Sequence, residues 1–216
     1  MPRTADHELR RDQMAAAVHR LIAHDGIDAA TMAAVAREAG FSVGLVQHYF
    51  QSKDDLLLFA YRRMTEDRLA RVASLVADGE AAEQPIRAIL LRCMPELWPL
   101  DEHRRGEFRV DRAFHARSLD NPTVAEVARQ TTATIRGQIA RAVDNGKECG
   151  EVRGDTDAEL ASLELAALID GLADDLYREP ERPVGERTTT GAAETILETR
   201  LAQYFPGECR HYRIRS

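Results

Sequence analysis

Long apolar runs are missing from this chain of 216 residues, and none approaches the ~20 positions a helix needs to cross a bilayer. The opening, Met1-Pro2-Arg3-Thr4-Ala5-Asp6, also lacks the apolar stretch of a secretion signal. A cytoplasmic protein without a membrane partner is therefore expected. Cysteine is scarce. Cys93, Cys149 and Cys209 are an odd number at wide spacing, with no C-x-x-C pair. That spacing indicates neither a zinc site nor a disulfide framework, and reduced thiols are expected. Catalytic signatures are missing as well: there is no G-x-S-x-G, Walker loop, dinucleotide fingerprint or H-E-x-x-H. A helical di-iron enzyme would need repeated Glu-x-x-His pairs, and only Glu208/His211 has that spacing. No enzymatic activity, metal or cofactor is expected.

Basic excess is missing too. The net charge is −7, which argues against a protein that coats nucleic acid indiscriminately. A specific binder with a locally basic face remains compatible with it. Residues 1–50 hold five arginines and six acids, so such a face has to come from geometry. Arg3, Arg10 and Arg11 on a leading arm, with Lys53, are the cations available for it.

What remains is rich in alanine, leucine, arginine and glutamate, with few β-branched runs. This composition favours helix. The first helix is expected over about 8–24, with Met14, Val18, Leu21 and Ile22 as its apolar stripe and Asp25-Gly26 as its stop. Thr31 caps a short helix to Ala39, and Ser42 caps another to Tyr49. Ser52, with Asp55 three residues on, starts a long helix to about Ala77. Five more are expected at about 85–97, 103–118, 122–146, 157–178 and 190–205. Residues 179–191, with two prolines, two glycines and three threonines, read as an exposed, mobile loop.

The strongest motif runs from Ala36 to Val46. A helix-turn-helix needs a small residue where two helices approach, a glycine four later to take positive φ, and an apolar plug six beyond. Ala36, Gly40 and Val46 meet that spacing, and Val35, Phe41 and Tyr49 fill the other inward positions. Alone, the pattern also suits an ordinary helical hairpin. The continuation Gln47-His48-Tyr49-Phe50-Gln51-Ser52-Lys53-Asp54-Asp55-Leu56-Leu57 narrows it. Over residues 8–57 the chain resembles the TetR family of transcriptional regulators.

That resemblance implies an all-α, nine-helix fold. Residues 1–52 would bind DNA, 53–78 would form a connecting helix, and 79–216 would bind an effector and dimerise. It places Val43, Gly44, Leu45, Gln47 and His48 toward double-stranded operator DNA. Gln47 suits adenine, Val43 or Leu45 a thymine methyl, and Gly44 close backbone approach. Tyr49, Lys53 and Thr31 suit phosphates. Leu45 is equally open to a core role, and His48 to an unspecific phosphate contact. The recognition helix carries no arginine, so apolar contacts and DNA shape would share the reading.

Residues 90–178, including Leu97-Trp98-Pro99-Leu100-Asp101 and Ala167-Leu168-Ile169-Asp170-Gly171, resemble the BetI-type branch, typified by choline-responsive regulators. Met94, Trp98, Phe108, Asp111, Phe114 and His115 are the effector-pocket candidates, since aromatic walls with one acid suit an organic cation. Core packing for Phe108 and Phe114, with Asp111 and His115 solvated or paired, is the other reading. Leu165, Leu168, Leu172 and Leu176, with Ile196, Leu197, Leu201 and Tyr204, are the candidates for a homodimer interface. Burial inside one subunit is the alternative. The function expected is a repressor released from a near-palindromic operator by an unknown small molecule. A sensor acting through protein partners instead has the non-basic N-terminal segment in its favour.

Overall fold

The structure, a computed structural model, describes residues 2–210, the side chains of residues 2–5 excepted. The Arg3 side chain and His211 lie outside the described residues. Nine α-helices are found among those described. They are α1 (Pro2–Asp25), α2 (Met32–Ala39), α3 (Val43–Tyr49), α4 (Lys53–Ala81), α5 (Ile86–Cys93), α6 (Glu102–Ser118), α7 (Pro122–Cys149), α8 (Ala158–Arg178) and α9 (Thr189–Tyr204). The chain divides into two compact units. One comprises Met1–Asp67 and Asp101–Arg129, the other Arg68–Leu100 and Gln130–Ser216. The division falls inside α4 and inside α7. Residues 101–129, expected in the C-terminal domain, belong to the first unit.

Local chemistry explains the helix ends. Thr31 Oγ1 accepts the Ala34 amide at 3.1 Å, and Ser42 Oγ accepts that of Leu45 at 3.2 Å. Ser52 Oγ accepts the Asp55 amide at 3.1 Å, while the Asp55 carboxylate reaches back to the Gln51 amide at 3.2 Å. That is a capping box shifted by one residue on its return leg. Between α2 and α3, Gly40 sits at φ 74°. The Phe41 amide donates to the Ala36 carbonyl at 2.8 Å, closing a Schellman turn that only a left-handed residue permits.

Three expectations need correction. The leading arm is not an arm, because α1 already starts at Pro2. The helix expected over 85–97 breaks at Cys93 into a 3₁₀ turn over Met94–Leu97, where Pro95 has no amide to donate. The segment 179–191 contains a small antiparallel hairpin, Pro183 opposite Thr188 and Val184 opposite Arg187. It is fastened by the Thr189 amide on the Arg182 carbonyl at 2.9 Å and the Thr190 amide on the Pro180 carbonyl at 3.0 Å.

In the first unit α1 lies along both α2 and α6. Met14, Val18, Ile22, Val35, Val46 and Phe50 are buried there with Leu56, Leu57 and Tyr61 of α4. Phe114 of α6 stacks on Tyr61 with ring centres 4.4 Å apart. Each such side chain contributes about 1.5–3 kcal/mol on burial. In the second unit α8 packs on α9, and α9 on α5. Leu165, Ile169 and Leu176 of α8 and Leu197 and Leu201 of α9 face inward there. No described helix is long and apolar enough to cross a membrane.

Candidate nucleic-acid interface and ligand cavity

The seven-residue α3 has one face inside and one outside. Val46 is fully buried, while Val43, Gly44, Gln47 and His48 are exposed. These four recur at i, i+1, i+4 and i+5, a stripe of the width that a major groove admits. A Cβ built on Gly44 meets nothing within 4 Å, so the backbone lies open at that point. Leu45 is half-buried and packs on the core, so the structure favours its packing role over base contact. Tyr49 is half-buried too, its ring 4.5 Å from that of His7 and edge-on to His48 at 5.5 Å.

Two caps flank this stripe. Thr31 is exposed at the start of α2. Lys53, the first residue of α4, rests its Nζ 3.4 Å from the Asp28 carbonyl oxygen. A weak bond of that length leaves the ammonium able to turn toward a phosphate. The arginines expected to help behave differently. The Arg11 guanidinium lies 4.1 Å over the Phe59 ring and 5.4 Å over Phe50, so it is half-buried in a cation–π contact. Arg10 pairs with Asp6 at 3.1 Å.

The six pocket candidates are not brought together. Met94 lines a cavity of about 650 Å³ in the second unit. Trp98 belongs to the same unit but is fully buried, with its indole Nε1 donating to the Ile169 carbonyl. Phe108, Asp111, Phe114 and His115 belong to the first unit, where the first three are buried and His115 is exposed. Asp111 is engaged there by Tyr61 Oη at 3.4 Å and His115 Nδ1 at 3.3 Å. The hydrogen bond to Asp111 raises the His115 pKa above its ordinary value. Phe108 carries Arg112 over its ring at 4.9 Å. Helical spacing places Phe108, Asp111 and His115 on one face, but Asp111 is buried against Tyr61 of the first unit while His115 is exposed.

The remaining lining of the cavity beside Met94 was not foreseen. Its wall is made by Leu69, Val72, Ala73 and Val76 of α4, by Ile86, Ile89, Leu90 and Cys93 of α5, and by Ile135, Gln138, Ile139 and Ala142 of α7. Glu80, Arg141, Asn145 and Glu148, all exposed, also line it. No aromatic ring of the described residues lines it. Burial pushes the Cys93 thiol in its wall up to about 11. The signal in the sequence was the apolar set 69, 72, 73 and 76, helically spaced beyond the part of α4 that serves the first core.

Half of the dimer candidates are used up inside the subunit. Leu165, Leu176 and Leu201 are fully buried, and Leu197 is 1 % exposed. Leu168, Leu172 and Tyr204 are half-buried. Tyr204 Oη donates to Glu164 at 2.5 Å, and burial with that carboxylate raises its pKa to about 12. Ile196 is exposed, as are Leu160 and Leu163 of the same apolar helix α8.

A capped helix pair closed by Gly40, with a bare stripe on its second member, defines a helix-turn-helix DNA-binding transcriptional regulator. Residues 15–59 match the family model for bacterial regulatory proteins, tetR family, and residues 85–206 that for the BetI-type transcriptional repressor, C-terminal. The chain belongs to the TetR family, with a C-terminal region of BetI type. It is 30% identical over 173 residues to the HTH-type transcriptional regulator BetI of Stenotrophomonas maltophilia (strain R551-3), covering 80% of this chain and 83% of that one. It is 29% identical over 182 residues to the HTH-type transcriptional regulator PksA of Bacillus subtilis (strain 168), covering 84% and 85%. Among solved structures, a transcriptional regulator from Rhodococcus sp. Rha1 superposes with a TM-score of 0.75 at 31% identity, over 91% of this chain and 96% of that one. A regulator from Saccharomonospora viridis in complex with choline gives 0.72 at 26% identity, over 92% and 97%.

Proposed function

We propose that the chain is a homodimeric repressor that leaves a near-palindromic operator when a small molecule enters the cavity of its second unit. The observation that carries this reading is the exposed stripe Val43, Gly44, Gln47 and His48 on a helix whose other face is locked by Val46. Gln47 pairs with an adenine edge, Val43 meets a thymine methyl, and Gly44 allows the backbone close to the groove. Thr31 and Lys53 hold phosphates at the starts of α2 and α4, where helix dipoles favour anions. One reading helix per subunit requires half-sites about one helical turn apart, or a multiple of that. Leu160, Leu163, Leu168, Leu172 and Ile196 make up the face that a second subunit covers.

The effector site is the cavity of α4, α5 and α7, which keeps Met94 of the six candidates. Its aliphatic wall holds an elongated apolar body, and its polar lining of Glu80, Arg141, Asn145 and Glu148 holds a polar end. Its described lining holds no aromatic ring of the kind that cages a quaternary ammonium. The test is a salt titration of the chain on labelled DNA from upstream of its own gene. A steep loss of affinity with salt is expected, and Lys53→Ala lowers the log–log slope by about one. Absence of any salt-sensitive complex overturns the operator reading. In transcription from that template, repression without ligand and relief by an aliphatic effector are expected, and activation by the free protein overturns the repressor assignment.

A further inference from the structure

Cys149, at the end of α7, and Cys209, beyond α9, are distant in sequence but meet in the second unit. Glu151 joins them. Their two sulfur atoms and one carboxylate oxygen lie within 4.8 Å of one another, and all three residues are buried. Cys149 Sγ is 3.6 Å from Glu151 Oε1. Backbone bonds hold this arrangement: the Gly207 amide donates to the Glu151 carbonyl at 2.9 Å, and the Arg210 amide to the Cys149 carbonyl at 2.8 Å. A Cβ at position 207 would run into the Gly150 carbonyl oxygen, so the approach depends on glycine there.

Glu151 is 1 % exposed, an unusual place for a carboxylate. Its oxygens accept the Ile86 and Arg87 amides at the start of α5, at 2.9 and 3.1 Å. Those bonds fix the orientation of the carboxylate and leave it lone pairs to spare.

We propose that Cys149, Glu151 and Cys209 form a binding site for a thiophilic divalent cation such as Zn(II). Two sulfurs and one oxygen are a donor set that such ions accept. Around tetrahedral zinc, sulfur and carboxylate oxygen stand about 3.5 Å apart and two sulfurs about 3.8 Å apart. The Cys149–Glu151 separation of 3.6 Å already fits, and Cys209, within 4.8 Å of both, has to close by at most about 1 Å. Binding converts Zn(II) and two thiols into a bis-thiolate complex and releases two protons. No electron is transferred. Glu151 already carries the amides that orient a ligand from behind. Both cysteines also line the cavity, so a fourth coordination position is reachable from it. The site rests on its own geometry and stands whether or not the cavity takes an effector.

The test uses the full-length chain, stripped with chelator under reducing agent, and Co(II) as the probe. One equivalent per chain should bind with an intense sulfur-to-cobalt charge-transfer band in the near ultraviolet. Zn(II) should displace it, and zinc added to metal-free chain should release two protons. Cys149→Ser and Cys209→Ser should each weaken binding by more than about 100-fold, and Glu151→Gln should weaken it while leaving the sulfur band visible at high cobalt. Far-ultraviolet circular dichroism checks that each metal-free variant is folded. If Cys149→Ser does not fold, Cys209→Ser, in the segment beyond α9, carries the test. Substoichiometric binding, a band unaffected by Cys209→Ser, or a Cys149–Cys209 disulfide forming with no metal uptake by the reduced chain would each overturn the proposal.

Discussion

Trp98 donates its indole N–H to the carbonyl oxygen of Ile169 at 3.1 Å, and the ring is fully buried. The bond pins the chain after the 3₁₀ turn Met94–Leu97 to the middle of α8. It also explains why a residue expected to line a ligand pocket does not: its polar edge already has a partner within the protein.

Trp98→Phe removes that bond and leaves a void. Together these cost about 2 kcal/mol. Urea denaturation followed by circular dichroism measures it. Trp98 is the only tryptophan, so the wild-type emission should be blue-shifted when folded and move to the red on unfolding. Full stability in the variant would remove the bond from the account of the fold.

Two glycines in the reading head predict opposite outcomes. At Gly40 a Cβ meets no atom within 4 Å, but φ is 74°. Gly40→Ala should cost about 1–2 kcal/mol from backbone strain alone. Gly44 is helical with equally open surroundings, so Gly44→Ala should raise stability by about 0.5–1 kcal/mol. The same methyl should weaken operator binding if the backbone approaches the groove there. Thermal melts and gel-shift affinities on the two variants separate strain from DNA contact.

His19 gives stability a dependence on pH. Its Nε2 lies 2.8 Å from the Ala60 carbonyl. Its pKa falls below the ordinary value, chiefly because burial disfavours the cation. The Ala60 bond and the charges of Glu107 and Asp67 act the other way, while His103 adds to the lowering. The unfolded chain therefore binds this proton first as pH drops below about 6.5, and stability falls from there down through the folded value. His115, whose pKa is raised by Asp111, acts oppositely: its contribution is present below the ordinary value and is lost as pH rises through the folded one. In His19→Gln, the loss of stability between about pH 7.5 and about pH 5 should be smaller than in wild type. An equal loss in both would show that His19 is not its source.

Leu163 and Ile196 are exposed, at 45% and 40%, whereas Leu165 is not exposed at all. Leu163→Glu and Ile196→Glu should leave each subunit folded and shift the sedimentation coefficient from dimer to monomer. Leu165→Ala should instead destabilise the subunit by about 2–5 kcal/mol. Dimers that survive both charged substitutions would place the contact elsewhere.

What was legible in the sequence is what neighbours along the chain decide. Ala36, Gly40 and Val46 define the helix-turn-helix within one short segment, because the turn and the plug act only across adjacent helices. Thr31, Ser42 and Ser52 cap their helices as read, since a cap reaches three residues and no further. The exposed stripe on α3 follows from that same local geometry.

The rest depended on which apolar face meets which. Helix α8 is apolar on more than one side, and periodicity alone does not tell Leu165, which is core, from Leu163, which is surface. Phe108, Asp111 and His115 share a helix face as their spacing requires, yet Asp111 is held by Tyr61 within the first unit, while the cavity lies beside Met94 in the second. Cys149 and Cys209 have no motif between them. Only the return of the chain past α9, held by the Gly207 and Arg210 amides, brings their sulfurs together around Glu151. Local hydrogen bonding determined the helices and the reading head from sequence alone. Burial, which depends on partners far along the chain, decided the cavity, the exposed apolar residues of α8 and α9, and the thiol pair.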